Sequence, residues 1–157
     1  MKKTIDKYLG MFLAFLMMVM TLDVLWGVFT RYAMGSQADW SEELARFLLI
    51  WIGILGAGYA SGQKMHLAIE LLKPKLEPKK QIRLMVIINL LILLFAISVM
   101  VIGGARLIYL THTLGQLSAA LRIPLSLVYI VVPISGLLVV YYKIEDLLSM
   151  RSGELSE

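Results

Sequence analysis

The chain has no cysteine, and only two histidines occur among its 157 residues. Without cysteine there can be no disulfide, thiol nucleophile or thiolate metal site. Charged residues are also scarce, at 17% of the chain, whereas 59% of the residues are apolar. A soluble domain of this length needs more polar surface than that to cover its core. Because the charges lie between long apolar runs, we expect an integral membrane protein.

Four apolar segments are long enough to cross a bilayer at about 1.5 Å per residue. The predicted transmembrane helices span about 8–30, 41–62, 84–109 and 123–144. The predicted fold is therefore a single all-α membrane domain, 1–157, with four transmembrane helices. Apolar residues in 65–76 recur at helical spacing, which predicts a short amphipathic helix on the cytoplasmic surface. Residues 150–157 are predicted to form a flexible tail.

The distribution of basic residues predicts the orientation. With four spans, both termini and the middle loop lie on one side, which then holds eleven of the fifteen lysines and arginines. The other side holds Arg31, Arg46, Arg106 and Arg122. The positive-inside rule therefore places both termini in the cytoplasm. The first apolar segment is longer than the core of a cleavable signal peptide, so we expect it to be retained.

Signals at the helix ends refine this topology. Asp39 to Glu42 has the D-x-x-E form of a capping box, and Ser41 is an alternative cap for the second helix. Pro124 suits the first turn of the fourth helix. Pro133 lies inside that helix and predicts a kink.

No arrangement typical of an enzyme is present. The predicted topology separates His66 from His112 by a membrane thickness, so they cannot share a haem or a metal ion. The sequence contains no H-E-x-x-H, no G-x-S-x-G and no glycine-rich phosphate loop. We predict no enzyme activity, no metal and no cofactor. The net charge is +4, and the basic residues lie beside apolar segments. This position favours membrane lipids over nucleic acid as a partner.

Asp23 is the acidic residue that interrupts the first apolar segment. Counted back from Arg31, it lies about 12 Å below the outer helix end. An ionised carboxylate at that depth is costly unless it is paired. Arg46 and Arg106 lie at similar depth, so we expect a structural ion pair with one of them. The alternative is that Asp23 couples transport to protons or sodium.

The segment from Trp40 to Arg46 is dense in charge for a membrane entry. Glu42 and Arg46 are four residues apart, with the acid first, which is the favourable order on a helix. One interpretation is a capped helix end with an interfacial tryptophan. The other is a docking surface for a partner, and the sequence does not separate the two.

Small residues are frequent in the second span. Gly53 with Ala57, and Gly56 with Ala60, form small-xxx-small pairs that let helix backbones approach closely in lipid. We expect these pairs to pack within the four-helix unit. Contact with another subunit is the alternative.

Several features together carry a family resemblance: the W-S-E-E-L-A-R stretch at 40–46, Gly53, Gly56, His66, Ile123-Pro124 and Pro133. Over roughly 5–148 the chain resembles the small, DctQ-type membrane subunit of tripartite ATP-independent periplasmic (TRAP) transporters. The resemblance implies a scaffold subunit in the bacterial inner membrane. It also implies two partners, a large elevator-type membrane subunit with the sodium and substrate sites, and a periplasmic binding protein. The expected cargo is an organic acid, typically a C4-dicarboxylate or a sialic acid.

On this resemblance, Trp40, Glu42, Glu43 and Arg46 are expected to support the outer end of the scaffold and the subunit contact. Because the sequence ends soon after the fourth span, we expect the form that is not fused to the large subunit. Two alternatives remain open. One is a small homodimeric proton-coupled exporter with Asp23 as its essential acid, and the other is an accessory subunit of a different membrane complex.

Overall fold

The computed structural model describes residues 2–36, 38–63 and 78–151, and most of these residues are helical. The elements are α1 (Lys2–Ala33), α2 (Asp39–Gly62), α3 (Pro78–Phe95), a π-helical segment (Ala96–Gly103), α4 (Gly104–Thr113), α5 (Leu125–Tyr129) and α6 (Val131–Arg151). The four stretches long and apolar enough to cross a membrane, called spans 1 to 4 below, are Lys2–Ala33, Asp39–Gly62, Gln81–Thr113 and Leu125–Leu148. The prediction of an all-α chain with four such helices is confirmed.

The helices extend beyond the apolar runs from which they were predicted. The first begins at Lys2, and the third continues to Thr113. The predicted surface helix at 65–76 lies outside the described residues. In the predicted tail, 150–157, the first two residues belong to α6 and the others lie outside the described part of the chain.

The start of α2 differs from the predicted capping box. Ala38 is the N-cap residue, its backbone is extended, and no side chain caps the helix. Two of the side chains expected there, Ser41 and Glu42, have other partners. The Ser41 hydroxyl bonds to Asp23 on α1, and the Glu42 carboxylate bonds to Arg46 on the next turn.

A compact hairpin connects span 3 to span 4. Gly115 has a φ of +59°, and its N–H donates to the carbonyl of His112, while the N–H of Gln116 donates to that of Thr111. This pair of bonds is a Schellman motif, which requires the left-handed conformation that glycine adopts most easily. The chain then reverses through a single antiparallel bridge between Leu117 and Pro124.

Span 4 is interrupted near its start. α5 ends at Tyr129, Ile130 forms a turn, and α6 begins at Val131. Pro133 has no N–H to donate to the carbonyl of Tyr129, and its ring crowds the preceding turn, which accounts for a break at this position. Pro124 is the N-cap residue of α5, one position earlier than the first-turn position predicted for it.

Close contacts between spans 3 and 4 depend on glycine. A Cβ atom added at Gly136 would lie 2.8 Å from Met100 Cβ, and one added at Gly104 would lie 2.9 Å from Pro133 Cδ. Met100 belongs to the π-helical segment, so the irregular part of span 3 is the part that packs against α6.

The spans form an open row. α1 packs along α2, α2 packs against α6, and α6 packs against span 3. Among the described residues, α1 and span 3 share no extensive contact, so the order in space is 1-2-4-3. A small apolar cluster joins three of the helices through Leu13, Leu16, Leu55 and Val131. Below, the terminal end is the end at which α1 begins and α6 finishes.

Candidate functional site: polar groups and glycines between the spans

Asp23 is buried between α1 and α2, with 7% of its surface exposed. The hydroxyl of Ser41, on the first turns of α2, donates to Asp23 Oδ1 at 2.9 Å and lies 3.1 Å from the Asp23 carbonyl oxygen. Asp23 Oδ2 has no hydrogen-bond partner among the described residues. The carboxyl group therefore joins two helices through a serine.

The ion pair expected for Asp23 is not present in the described part of the structure. Arg46 Nη2 instead bonds to Glu42 Oε1 at 3.0 Å, one turn away on α2. Arg106 lies exposed on α4 and forms no ion pair within the described ranges. Arg46 prefers Glu42 because a partner four residues away on its own helix is within reach without crossing to α1.

Glu43 holds the hairpin between spans 3 and 4. Its Oε1 accepts the N–H of Ala119 at 3.0 Å, and its Oε2 accepts those of Ala120 at 2.9 Å and Leu121 at 2.7 Å. Three successive backbone N–H groups directed at one carboxylate form an anion-binding turn. Arg122 follows in the left-handed conformation, with a φ of 53°. Glu43 thus connects the start of α2 to a turn more than seventy residues away in sequence.

The Ser118 side chain stabilises the same turn. Its hydroxyl accepts the N–H of Ile123 at 3.1 Å, and its own N–H donates to the Ile123 carbonyl at 2.9 Å. These bonds close the turn around Arg122, whose positive φ is unfavourable for a non-glycine residue. Such a conformation persists only where the surrounding structure fixes it.

The glycines singled out from the sequence do not pack inside the row. A Cβ atom added at Gly53 or Gly56 would meet no other described residue within 4 Å. The glycines of α2 that do pack are Gly58, against Ser135 of α6, and Gly62, against the ring of Tyr142. The expectation that Gly53 and Gly56 pack within the four-helix unit is therefore wrong, because α2 turns other positions towards α1 and α6.

The two tryptophans of α2 differ in their surroundings. Trp40 lies on the first turn and is partly exposed. Trp51 lies between helices: its indole N–H donates to the Val128 carbonyl at 3.0 Å, and its ring makes an edge contact with Phe12 of α1. Val128 lies just before the break in span 4, so Trp51 satisfies a carbonyl at an interrupted helix.

A buried charge lies at the terminal end. The Lys143 side chain is 0% exposed, and its Nζ lies 3.2 Å from Asp146 Oδ2 and 3.4 Å from the Ser61 carbonyl oxygen. Lys2 approaches the other Asp146 oxygen at 4.0 Å. A buried ammonium needs such partners, because removing it from water is expensive. The group connects α1, α2 and α6.

Tyr142 makes a second connection at this end. Its hydroxyl donates to Asp6 Oδ1 on α1, and its ring packs on the position of Gly62 on α2. Lys2 Nζ lies 5.7 Å from the centre of the same ring. Side chains therefore link the first and last helices although these helices do not pack along each other.

Sequence reasoning missed this terminal cluster. Lys143 contributes to the orientation predicted from basic residues, and an acid three residues later at the end of an apolar run is the signal that predicts an ion pair for it. The sequence predicts Ser41 only as a cap. Its role as a partner for Asp23 depends on how α1 and α2 are aligned, and that alignment has no signature in either segment alone.

The chemistry available to these groups is structural. No group of three or more His, Cys, Asp or Glu residues in the described ranges is arranged to hold a metal ion. The polar groups instead satisfy one another across helix boundaries.

An apolar groove of about 410 Å³ opens between α1 and α2, and it is lined by Met17, Met20, Thr21, Val24, Leu25, Leu49 and Ile52.

Comparisons with known proteins agree with a membrane component. The family model of the tripartite ATP-independent periplasmic transporters, DctQ component, matches residues 17–153. A TRAP transporter small permease protein of Haemophilus influenzae is 28% identical over 145 residues, which cover 92% of this chain and 88% of that protein. The sialic acid TRAP transporter small permease protein SiaQ of Vibrio cholerae is 24% identical, over 80% of this chain and 70% of its own.

A third relative has a different organisation. The isethionate TRAP transporter permease protein DctMQ of Oleidesulfovibrio alaskensis is 29% identical over 113 residues, which are 72% of this chain but only 18% of that protein. The family model covers most of the present chain. Four helices of this chain are long and apolar enough to cross a membrane. The chain therefore belongs to the DctQ component family of TRAP transporters, and it is a multi-pass membrane component of a transporter, not an enzyme.

Proposed function

We propose that the chain is the small scaffold subunit of a sodium-coupled TRAP transporter. It lies in the bacterial inner membrane with both termini in the cytoplasm. It associates there with a large membrane subunit that performs the transport step, and with a periplasmic binding protein that delivers the substrate. The substrate is an organic acid, for which a C4-dicarboxylate and a sialic acid are the chemistries named for two relatives.

The open row of spans is the observation that carries this proposal. A row in the order 1-2-4-3 leaves a broad side of α1 and α2 unpacked, which suits a subunit that widens the anchored part of a larger assembly. Hydrogen bonds and ion pairs hold the row at both ends. Glu43 bonds to the hairpin, and Lys143 and Tyr142 bond to other residues at the terminal end. We expect these bonds to make the row rigid. A scaffold against which another domain moves needs that rigidity.

The DctMQ relative adds support for a membrane partner. In that protein the sequence similar to this chain is about a fifth of a longer permease chain. A small subunit and a large one that occur joined in one protein are expected to associate when they are separate.

The exporter alternative is less well supported. It needs Asp23 as an exchangeable acid, whereas Asp23 is bonded to Ser41 at a contact between helices of the same chain. An acid that fixes the alignment of two helices is poorly suited to repeated loading and release.

Affinity purification from native membranes in mild detergent, followed by mass spectrometry, tests the proposal. A larger membrane protein recovered in near one-to-one ratio is the expected result. Proteoliposomes containing both proteins should then take up the organic acid delivered by the binding protein when a sodium gradient is applied, and should not do so without this chain. A chain that purifies alone as a stable dimer contradicts the proposal.

A further inference from the structure

Arg106 is the exposed arginine of α4 for which an ion pair with Asp23 was one expectation. Within the described ranges its side chain forms no ion pair and no hydrogen bond. A charged side chain on a membrane helix needs a polar or anionic partner, because an unpaired charge is costly there. The partner of Arg106 therefore lies outside the described part of the chain.

One side of span 3 carries six exposed side chains spaced three or four residues apart. They are Leu91, Phe95, Val99, Ile102, Arg106 and Tyr109, called the span 3 stripe below. This spacing places them on one face of a helix. The contacts with α6 are made by other positions of span 3, among them Met100 and Gly104. The stripe therefore points away from the described helices.

The length of span 3 places Arg106 at the level of the lipid headgroups. The span has 33 residues, which is roughly 50 Å at the rise of an α-helix. The hydrocarbon core is about 30 Å thick, so about 10 Å of helix lies beyond it at each end if the excess is shared equally. Arg106 lies seven residues before Thr113, the last residue of the span, and thus about 10 Å from its hairpin end.

The composition of the span 3 stripe favours a phospholipid over a protein helix. Helices that meet in lipid commonly present small residues to each other, whereas the four apolar members of the stripe are bulky and each is more than half exposed. One leaflet contributes about 15 Å of hydrocarbon, which is half of the core. Along the helix Arg106 lies about 16 Å from Phe95, so one acyl chain matches this part of the stripe.

The polar end of the stripe suits a phosphate group. The planar guanidinium of arginine forms short, charge-assisted and often bidentate bonds with phosphate oxygens. Tyr109 lies three residues further towards the hairpin and is exposed on the same side. Tyrosine is typical of this level of the membrane, where its ring meets lipid and its hydroxyl meets the headgroups. The stripe thus has a phosphate-binding end and an apolar remainder, in the order that a phospholipid presents them.

We propose that Arg106 and Tyr109 bind the phosphate of a phospholipid in the leaflet on the hairpin side. One acyl chain of that lipid lies along Ile102, Val99 and Phe95. The guanidinium and the phenol hydroxyl donate to the phosphate oxygens, and the lipid neutralises a charge that has no partner in the described chain. The inference requires only a membrane around span 3, so its failure would leave the proposed function untouched.

Native mass spectrometry of the full chain measures the phosphate contact. Delipidated protein in detergent micelles is titrated with phosphatidylglycerol, and the Kd is read from the lipid-bound fraction. Arg106→Gln should weaken binding about tenfold, because it removes a charge-assisted contact, and Tyr109→Phe should weaken it about fivefold. Arg46→Gln is the matched control. That arginine is also exposed but is paired with Glu42, so binding should be unchanged.

Two further probes separate the phosphate from the acyl chains. Diacylglycerol has the chains without the phosphate, and it should bind the wild type and Arg106→Gln equally weakly. Equal binding of phosphatidylglycerol to the wild type and Arg106→Gln overturns the inference. Displacement of the lipid by excess inorganic phosphate would indicate a site for the anion alone and would also overturn it.

Photocrosslinking identifies what covers the span 3 stripe in the native membrane. Ile102 is replaced by p-benzoylphenylalanine in the full chain, expressed together with its natural partners. An adduct with the mass of a phospholipid is expected, and its yield should fall when Arg106→Gln is added but not when Arg46→Gln is added. An adduct with another protein or with a second copy of this chain overturns the inference. Size-exclusion profiles show whether each variant is folded, and if Arg106→Gln is not, Tyr109→Phe and the Ile102 adduct decide.

Discussion

Single side chains with partners on other helices determine how the spans are aligned. Ser41, Glu43 and Tyr142 each bond across a helix boundary or to a distant turn. In lipid, apolar surfaces of neighbouring helices gain little from meeting each other, so such bonds contribute more to alignment than they would in a water-soluble core. Mutations at these residues should therefore affect stability before they affect any transport step.

Ser41→Ala removes the donor from the Asp23 carboxyl group. It should lower the free energy of unfolding in mixed micelles by about 1–3 kcal/mol, because the buried carboxyl group then has no partner on α2. Asp23→Asn retains an acceptor for Ser41 and should change it by less than about 1 kcal/mol. Transport in the assembled system should survive Asp23→Asn. Loss of transport with normal stability would instead favour a coupling role for Asp23.

Glu43→Gln should loosen the hairpin between spans 3 and 4. The amide has one carbonyl oxygen in place of two carboxylate oxygens, and its NH₂ group faces N–H donors that it cannot bond. Faster hydrogen exchange at the amides of Ala119, Ala120 and Leu121 is expected, with a lower unfolding midpoint. Glu42→Gln is the matched control. It breaks only an exposed pair worth roughly 0.3–0.5 kcal/mol and should leave these amides unchanged.

At the scale of elements, the sequence predicts the helices well and their packing poorly. Long apolar runs indicate the spans, and Pro133 indicates where span 4 is irregular. The π-helical segment, Ala96–Gly103, has no comparable signal, because its wider turn depends on how it meets α6. The same limit explains the glycines: spacing identifies Gly53, but only the neighbouring helices determine which side of α2 is covered.

Gly136→Ala and Gly53→Ala each add one methyl group, but the first position is tightly packed and the second is open. At Gly136 the new methyl group meets Met100 Cβ and backbone, so we expect a loss of about 1–3 kcal/mol in unfolding free energy. At Gly53 it contacts none of the residues that the structure describes, so stability should be unchanged or rise by up to about 1 kcal/mol. Detergent unfolding of both variants gives the comparison. Equal changes in unfolding free energy at the two positions would show that the α6 and span 3 contact is not tight.

At the scale of the whole molecule, the first and last helices are joined by side chains at the terminal end. Their apolar surfaces meet little among the described residues. Tyr142 bonds to Asp6, and Lys2 approaches Asp146, which also pairs with Lys143 on its own helix. From sequence, the number of spans follows from the apolar runs, and the basic residues predict the sidedness. The order 1-2-4-3 does not, because every span is apolar enough to pack against any other.

Tyr142→Phe should weaken this connection. It removes the hydroxyl that bonds to Asp6 while keeping the ring against Gly62, and a hydrogen bond to a charged group contributes about 1.5–3 kcal/mol. The unfolding midpoint should fall, and a protease should cut the N-terminal turns of α1 faster. Tyr141→Phe is the control, since no hydrogen bond of its hydroxyl is present in the described structure. Equal behaviour of the two variants would exclude the Asp6 bond.

The spatial order of the spans has a consequence for biogenesis. A ribosome delivers spans 1, 2 and 3 to the membrane before span 4, yet span 4 lies between 2 and 3 in the finished row. Spans 1 and 2 can pair as soon as both are inserted, whereas span 3 has its extensive contacts within the described ranges only with parts of span 4. Until span 4 arrives, the newly made chain is an early helix pair and an unpaired third helix. Insertion factors that shield unpaired helices should therefore act on this protein after its third span and before its fourth.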